Sequence, residues 1–445
     1  MKNILFLAKI NIWLICVSLA LTSCEKEPEM AVSLDKIYIE AIPTETASFG
    51  ISYHGEWTVS VTPPEVMWLT VSPLYGKGNE TITVKADEND DFTERIAFIV
   101  VSGENMKNDT VTVIQYPTLD VAEKIEDDIF RKYCLNKFDV NKDGKISLKE
   151  ASNALEINVK RRDDDDGTAI TTLAGIEYFV NIRELDCTAN DIEEIDVSKN
   201  KEIRKLYCSF NSNLNKIDVS ELSRLIDLHL HSTKIKSIDV SKNLHLQLLT
   251  TSNSPISTLD VTHNKELIAL MCNDNQLTTL DVSKNTKLLS LLCGNNRLST
   301  IDISKNTDLV NLWCNNQTDG KNRLLKHLDV SNNKKLQTLS CGQNEISSLD
   351  LSHNLALTQL RCDDNQLISL DVSVNTRLGD LKCNINNLTG SVDLSNNPLL
   401  KYIDLQRNNL DTIYVWQKFD EECTFSADGK IKCYEKDKNA KWVKK

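Results

Sequence analysis

The chain has 445 residues, a length that predicts two to four domains. Its composition is 40% hydrophobic and 26% charged, which is typical of a globular protein and excludes a disordered chain or one that crosses a membrane many times. With 64 acidic against 51 basic residues the net charge is -13, which argues against nucleic acid as a partner.

Residues 1–23 have the pattern of a signal peptide. Two lysines accompany an apolar stretch that is too short to span a membrane. The sequence LTSC at residues 21–24 then resembles the lipobox of bacterial lipoproteins, which implies cleavage before Cys24 and its lipidation. The acidic tether at 24–30 is similar to the export signal of surface lipoproteins in Gram-negative gut bacteria. We therefore expect an outer-membrane lipoprotein at the cell surface, held by its lipid anchor alone. Plain secretion with an incidental cysteine is the alternative.

Residues 31–117 predict a small all-β sandwich. Short alternating runs of strand-forming residues are separated by Gly, Asn, Pro and Asp turns. The order of Trp57, Trp68, Arg95 and Gln115 along these strands resembles the BACON domain. That family often accompanies glycan-active or mucin-associated surface proteins, so the resemblance offers the two tryptophans as sugar contacts. The alternative, which the small size of the domain favours, places them in the core.

Residues 118–180 are predicted to form a helical cap with an EF-hand-type calcium loop. Apolar residues recur at helical spacing over 119–138, and the sequence DVNKDGKISLKE at 139–150 matches the whole twelve-residue loop pattern. We expect a structural calcium ion there; a vestigial loop is the alternative. The acidic run at 161–167 is interpreted as a solvated loop. The expected calcium ligands are Asp139, Asn141, Asp143, Lys145 through its carbonyl, Ser147 through a water molecule, and Glu150.

Residues 181–412 repeat with a period of about 21 residues, in the pattern L-x-x-L-x-C-x-x-N-x-L-x-x-L-D-V-S-x-N. This pattern predicts an α/β leucine-rich repeat solenoid of about 11 turns, in which stacked neighbours build the core. The cysteine position is occupied by Leu230, Thr251 and Leu405 in three turns, which indicates a packing role. We expect buried free thiols, because a single file of cysteines cannot surround a zinc ion. The eight cysteines are Cys187, Cys208, Cys272, Cys293, Cys314, Cys341, Cys362 and Cys383.

This cysteine file resembles the cysteine-ladder subgroup of the internalins, whose members also cap the solenoid with an EF-hand-like helical segment. The resemblance covers residues 119–415 and implies the solenoid fold, together with a habit of binding host receptors. The chain departs from that family in its complete calcium loop, its lipid anchor in place of a C-terminal wall signal, and its BACON-like module before the cap.

A second file consists of aspartates that precede Val-Ser-x-Asn or a close variant of it. We predict that each carboxylate accepts a hydrogen bond from the backbone N–H two residues on, in an Asx-type turn. A row of calcium sites is the alternative. The file consists of Asp196, Asp218, Asp239, Asp260, Asp281, Asp302, Asp329, Asp350, Asp371 and Asp393.

The outward residues of the repeat strands are expected to face the concave side of the solenoid, where such folds present their binding surface. The middle of this face is apolar and aromatic, which is typical of a binding hot spot; scattered surface apolar residues are the alternative. Six extra residues at 318–323 fall at a turn beside it. The predicted partner-binding residues are Tyr207, His229, Met271, Leu292, Trp313 and Arg361.

Residues 413–445 break the repeat and predict a C-terminal cap. Cys423 and Cys433 flank an Asp-Gly hairpin signal, so we expect a disulfide between them in an extracytoplasmic compartment. The chain lacks the common hydrolase, metalloprotease and P-loop motifs. We therefore predict a monomeric, non-enzymatic surface protein that binds a protein partner in adhesion or host–microbe interaction. The alternative is a glycan- or mucin-binding component of a surface polysaccharide-uptake system.

Overall fold

The structure is a computed structural model that describes residues 30–104, 106–161, 168–417, 424–425, 431–436 and 439–445, with the backbone alone at 424–425 and 431–434. The chain divides into two compact units, the first ending at Thr118 and the second running from Leu119 to Lys445. Within the described ranges no helix is both long and apolar enough to cross a membrane. The predicted signal peptide and Cys24 lie outside the described residues, and so do Cys423 and the side chain of Cys433.

The first unit consists of nine strands in which buried and exposed residues alternate. The strands are β1 (Ala31–Val32), β2 (Lys36–Ile39), β3 (Ala47–Ser52), β4 (Glu56–Thr62), β5 (Leu69–Ser72), β6 (Tyr75–Lys77), β7 (Glu80–Ala86), β8 (Arg95–Gly103) and β9 (Asp109–Gln115). They form two sheets with the orders β1-β3-β7-β5 and β2-β9-β8-β4-β6. All neighbouring strands are antiparallel except β2 and β9, which are parallel.

Buried side chains of both sheets form one apolar core. Trp57 lies in this core with 2% of its surface exposed, and its indole Nε1 donates a hydrogen bond to the carbonyl of Gly78 at 2.8 Å. Trp68 packs partly buried against the core, with the Arg95 guanidinium 4.6 Å from its ring centroid. Arg95 Nε also donates to Gln115 Oε1 at 2.9 Å. The structure therefore supports the core interpretation of both tryptophans.

The second unit begins with a short helical segment. It contains a 3-10 helix (Val121–Lys124), helices α1 (Asp128–Phe138) and α2 (Leu148–Asn153), strand β10 (Glu156–Asn158) and a second 3-10 helix (Ile176–Tyr178). The Asp127 carboxylate caps α1 by accepting two backbone N–H groups, and Ser147 and Glu150 form a capping box at α2. Because β10 pairs in parallel with the first repeat strand, the sheet of the solenoid begins in this segment.

Eleven three-residue strands, one per repeat, then stack in parallel with equal positions side by side. Each has a buried leucine or isoleucine at its centre, flanked by two outward side chains. This stack confirms the predicted solenoid of about 11 turns. The strands are β11 (Glu184–Asp186), β13 (Lys205–Tyr207), β15 (Asp227–His229), β16 (Leu248–Thr250), β17 (Ala269–Met271), β18 (Ser290–Leu292), β19 (Asn311–Trp313), β20 (Thr338–Ser340), β21 (Gln359–Arg361), β22 (Asp380–Lys382) and β24 (Tyr402–Asp404). In the first two turns, β12 (Glu194–Asp196) and β14 (Lys216–Asp218) form a separate parallel pair.

Each turn bends after its strand on a non-glycine residue with φ between 53° and 63°. The side chain of the residue after it forms hydrogen bonds that connect the bend to the preceding turn. In one typical turn the Asn296 amide donates to the carbonyls of Cys293 and Cys272, and its Oδ1 accepts the N–H of Leu277 at 3.0 Å. These three bonds offset the cost of the left-handed conformation. The residues with positive φ are Ala189, Phe210, Ser232, Asn253, Asp274, Asn295, Asn316, Gln343, Asp364, Ile385 and Arg407.

A second file of buried asparagines lies in the return part of the turns. The amide of Asn285, for example, donates to the carbonyls of Val261 and Asn264 in the preceding turn at 2.9 and 2.8 Å. Asn200, the first member, donates instead to Ile176 and Phe179 in the cap segment. The turns are therefore joined by side-chain hydrogen bonds on both sides of the core.

Near the C-terminal end, described strands extend the sheet of repeat strands and form a second, separate sheet. Strand β27 (Ile431–Glu435) pairs in parallel with β24, and β26 (Thr424–Phe425) pairs with it antiparallel. Strands β23 (Thr389–Asp393), β25 (Asn409–Val415) and β28 (Lys441–Lys444) form a separate parallel sheet. Leu405, and Ile413 and Val415 of β25, are buried.

Candidate binding surface on the repeat strands

The outward side chains of the eleven repeat strands form one continuous surface, which we call the strand face. The third residue of each strand lies beside the third residue of the next, at a strand spacing of about 4.8 Å. The structure places all six predicted partner-binding residues in this file. In order, the file is Asp186, Tyr207, His229, Thr250, Met271, Leu292, Trp313, Ser340, Arg361, Lys382 and Asp404.

The middle of the strand face carries no charge. Over the five strands β16 to β20 the ten outward side chains are all apolar, hydroxyl or amide groups. Trp313 is 45% exposed there, which is unusual for so large an apolar side chain. In a protein with a net charge of -13, five adjacent strands without charge form a distinct surface.

Charged residues flank this stretch and are paired with one another. Towards the N-terminal end, Lys205 lies 3.3 Å from Glu184. Towards the other end, Arg361 lies 3.5 Å from Asp380, and Lys382 donates to Asp363 at 3.1 Å. Each of these three cations is therefore paired with a carboxylate, and the charged flanks form a polar rim around the uncharged stretch.

Two aromatic pairs lie at the N-terminal end of the strand face. The rings of Tyr207 and His229 are 4.8 Å apart and those of Phe210 and His231 are 4.2 Å apart, both in edge arrangements. Burial lowers the pKa of both histidines, so both are neutral at pH 7. The histidines therefore act as aromatic contacts. Sequence reasoning missed the 54% exposed Phe210, since it lies at the bend and not in a strand.

A pocket of about 440 Å³ opens between the uncharged stretch and the C-terminal rim. Trp313 and Arg361 form two of its sides, and Ser340 lies between them. Asn295 and Asp274, two of the residues with positive φ, line the side next to the bends. The pocket therefore joins strand residues to bend residues.

The calcium loop predicted at 139–150 connects α1 to α2. The N–H of Asp143 donates to Asp139 Oδ1 and to Asn141 Oδ1, and the N–H of Gly144 donates to Asp139 Oδ2 at 3.0 Å. Glu150 accepts the backbone N–H groups of Val140 and Ser147 from the two ends of the loop. Gly144 has φ of 82°, as the sharp turn at the sixth position requires.

These contacts bring the side-chain oxygens of Asp139, Asn141, Asp143 and Glu150 to one loop, and hard oxygen donors of this kind suit Ca²⁺. Across the described residues no three His, Cys, Asp or Glu side chains are close enough to hold a metal ion in the present geometry. The carboxylates instead accept backbone N–H groups of the loop. The donor set fits calcium, and binding would require the loop to exchange these hydrogen bonds for ligand bonds.

The eight file cysteines are fully buried and free, and Cys134 of α1 is likewise a buried free thiol. Burial raises the pKa of the Cys293 thiol to about 12. A thiol with so high a pKa is almost entirely protonated at neutral pH and is a poor nucleophile and metal ligand. The file is therefore a packing element of the solenoid core, as its substitution by leucine and threonine predicts.

All ten file aspartates accept the backbone N–H two residues on, at 2.8 to 2.9 Å. The backbone N–H of Ser304, followed by its hydroxyl, donates to Asp302 and lowers the pKa of that carboxyl. Backbone and hydroxyl donors two residues on lower the pKa of Asp281 and Asp329 in the same way. These Asx-type turns confirm the structural interpretation of the aspartates.

The stacked parallel strands and the repeat pattern define a leucine-rich repeat solenoid. This solenoid is similar to the functional domain of InlJ from Listeria monocytogenes, which includes a cysteine ladder: the two share 27% sequence identity over 66% of this chain and 72% of that one, with a TM-score of 0.53. An internalin (inlF) of Listeria monocytogenes str. 4b F2365 is similar at 19% identity, 66% and 93% coverage and a TM-score of 0.52. A TDR receptor is similar at 15% identity, 66% and 57% coverage and a TM-score of 0.50. The last two show the fold alone.

In the first unit, residues 56–116 match the BACON family model, described as "Putative binding domain, N-terminal". No curated protein matches the chain in a sequence comparison. The chain therefore combines a BACON domain with a leucine-rich repeat solenoid that resembles those of the internalins, cysteine ladder included.

Proposed function

We propose that the protein is a non-enzymatic surface protein that binds a protein partner through the strand face. The uncharged stretch over β16 to β20 carries this proposal, because the half-buried Met271 and Leu292 lie in one row with the exposed Trp313. An apolar centre with an exposed tryptophan, surrounded by a polar rim, is the usual composition of a protein-binding hot spot. The strand side is also the concave binding side of solenoid proteins in general.

The comparisons support this function at the level of the protein class. The similar structures are leucine-rich repeat proteins, among them an internalin and a receptor. An internalin-like solenoid beside a BACON domain suggests an extracellular or surface location. Adhesion or host–microbe interaction is the specific role that we propose for the strand face.

We further propose that Cys24 carries the lipid that anchors the protein to the outer membrane, that the protein is monomeric, and that the 139–150 loop holds a structural calcium ion. The lipobox-like sequence supports the lipid anchor, and the oxygen donors of the loop support the calcium ion.

The alternative role, glycan or mucin binding in a surface polysaccharide-uptake system, draws support from the BACON match in the first unit.

The test uses the chain without its first 24 residues, screened on arrays of host and bacterial surface proteins. Leu292→Asp places a charge in the uncharged stretch and should weaken binding by about tenfold or more. Ile368→Asp is the matched control, because Ile368 is 65% exposed and lies outside the repeat strands. Binding that survives Leu292→Asp and Trp313→Ala unchanged would exclude the strand face as the binding surface.

A further inference from the structure

The pocket beside Trp313 exists because two large side chains are separated by small ones. Trp313, Ser340 and Arg361 occupy the same position on three adjacent strands, so the tryptophan and arginine backbones are about 10 Å apart. The small side chain of Ser340 fills little of this gap. We call the resulting space of about 440 Å³ the Trp313 notch. Its volume lies within the range of about 300–1,000 Å³ typical of small-ligand sites.

One wall of the notch is a preorganised network of amides. The Asp274 carboxylate accepts hydrogen bonds from the amides of Asn295, at 2.6 Å, and Asn273. Asn273 Oδ1 in turn accepts the Ser252 hydroxyl at 2.8 Å. These contacts fix the orientation of the planar groups before any ligand arrives, which lowers the entropy cost of binding.

Other polar groups around the notch are uncommitted. Among the contacts between described residues, the indole Nε1 of Trp313 and the side chains of Asn315, Thr338 and Ser340 form no hydrogen bond with the protein. The Asn315 amide lies over Gly294, where a Cβ atom would approach its Oδ1 to 2.6 Å. A ligand in the notch therefore meets several free donors and acceptors beside one aromatic ring.

The charge of the notch argues for a neutral ligand. Its one cation, Arg361, lies 3.5 Å from Asp380, and Asp380 Oδ2 also accepts the Gln359 amide at 3.1 Å. Asp274 is already surrounded by amide donors. An anionic ligand would have to compete with Asp380 for the guanidinium, and a cationic ligand would find only one engaged carboxylate.

We propose that the Trp313 notch binds a neutral pyranose sugar. The positively polarised C–H face of such a ring stacks on the negative face of an indole, and its hydroxyls match the amide and hydroxyl groups of the walls. An apolar peptide side chain would find one large apolar side chain, that of Trp313, among lining residues that are otherwise of polar types or glycine. The site goes beyond the protein-binding function proposed above and does not depend on it.

The test is saturation-transfer NMR and titration calorimetry of the chain without its first 24 residues, with methyl glycosides of glucose, galactose, mannose and N-acetylglucosamine. At least one glycoside should bind with a Kd of about 1 mM, the range of a shallow single-sugar site. Trp313→Ala should weaken it by about tenfold or more. Gly294→Ala should weaken it several-fold, because the new methyl group displaces the Asn315 amide while leaving the tryptophan in place. Ile368→Ala, at an exposed residue outside the repeat strands, should leave the Kd unchanged.

Thermal unfolding of each variant separates loss of binding from loss of folding. The proposal is overturned if none of the glycosides binds at about 10 mM, or if binding is equal in the wild type, Trp313→Ala and Gly294→Ala. It is also overturned if short neutral peptides, and not the glycosides, compete at the notch. Because the protein arrays report on Leu292→Asp and the glycosides report on Gly294→Ala, failure of one proposal does not imply failure of the other.

Discussion

The guanidinium of Arg323 binds the carboxylate of Asp364 with two parallel hydrogen bonds, Nη1 to Oδ1 at 2.8 Å and Nη2 to Oδ2 at 2.5 Å, and Nη1 also donates to the Asp364 carbonyl. Arg323 ends the six-residue insertion at 318–323, and Asp364 is the bend residue with positive φ two turns further on. Through Arg323, the insertion therefore stabilises the bend at Asp364, which lies two turns away from it in the solenoid.

We predict that Arg323→Ala lowers the free energy of unfolding by about 1–2 kcal/mol, since it removes a bidentate charge-assisted contact that is only partly exposed. Lys326→Ala is the control. Its ion pair with Glu345 is more exposed and longer, at 3.6 Å, and its loss should cost less than about 0.5 kcal/mol. Urea unfolding monitored by circular dichroism measures both. Equal effects of the two variants would show that the bidentate contact adds nothing.

Calcium should raise the melting temperature of the protein if the 139–150 loop binds it. At about 1 mM calcium we expect a rise of about 2 °C or more over the protein in chelator, and Glu150→Gln should abolish it because the bidentate ligand is lost. Asp128→Asn changes an exposed carboxylate on α1, outside the loop, and should retain the rise. Calorimetric titration that finds no calcium binding would identify the loop as vestigial.

The cysteine file should tolerate apolar replacements and resist polar ones. The Thr251 hydroxyl is buried without a hydrogen-bond partner among the described residues, so Thr251→Val should stabilise the protein by about 1 kcal/mol. Cys293→Ser inserts a hydroxyl at the same position of another turn and should destabilise it by about 1–3 kcal/mol. Urea midpoints measure both. A destabilising Thr251→Val would contradict a packing role for the file.

Thiol counting tests the redox state of the same file. Denatured and unreduced protein that lacks its first 24 residues should present nine free thiols if Cys423 and Cys433 are paired, because nine buried cysteines are free in the structure. Eleven would indicate that the C-terminal pair is reduced. Fewer than nine would show that file cysteines form disulfides.

Stability should fall on acidification through the aspartate file. For nine of its ten members the pKa is lowered in the folded protein from an ordinary value of 3.8, mainly by backbone and hydroxyl hydrogen bonds. For Asp393 it falls to about 2, chiefly because of the Lys445 ammonium. On acidification, these carboxylates take up protons in the unfolded chain before they do so in the folded protein. The stabilisation that the lowered pKa values provide is therefore complete above about pH 4 and is lost between about pH 4 and 2.

The double variant Asp281→Asn and Asp302→Asn keeps the acceptor oxygens but cannot titrate. The difference in stability between pH 7 and pH 2.5 should therefore be smaller than in the wild type, with the change confined to the higher pH. Urea unfolding at both pH values measures it. An unchanged pH dependence would show that the file aspartates do not contribute to acid sensitivity.

The repeat itself was predictable from sequence because the same local interactions recur in every turn. The spacing between Asp302 and Ser304 is enough to predict an Asx-type turn, and the 21-residue period then places equivalent residues side by side. For this reason the strand register, the buried cysteines and the outward file agree with the prediction. The role of the second asparagine file was missed, because Asn285 and its equivalents donate into the preceding turn, a contact that no single repeat contains.

The particular features of the strand face could not be predicted in the same way. The Trp313 notch depends on the small side chain of Ser340, which lies one turn further on and is separated from Trp313 in sequence by the insertion. Arg323 reaches across the intervening turn, where it donates to the Asn344 carbonyl, to Asp364, and the orientation of a long side chain is not encoded in the period. Departures from the repeat therefore distinguish this surface from that of an ideal solenoid.

The side-chain hydrogen bonds of the second asparagine file all point the same way along the solenoid. Every amide in it donates towards the N terminus: Asn285 to the turn before it, and Asn200 to Ile176 and Phe179 of the cap segment. Loss of turns from the C-terminal end would leave all remaining amides with their acceptors, whereas loss of the cap would leave the buried Asn200 donors without any. Each turn therefore depends on the turn before it for the acceptors of its buried amide, and the cap segment supplies the acceptors for the first turn.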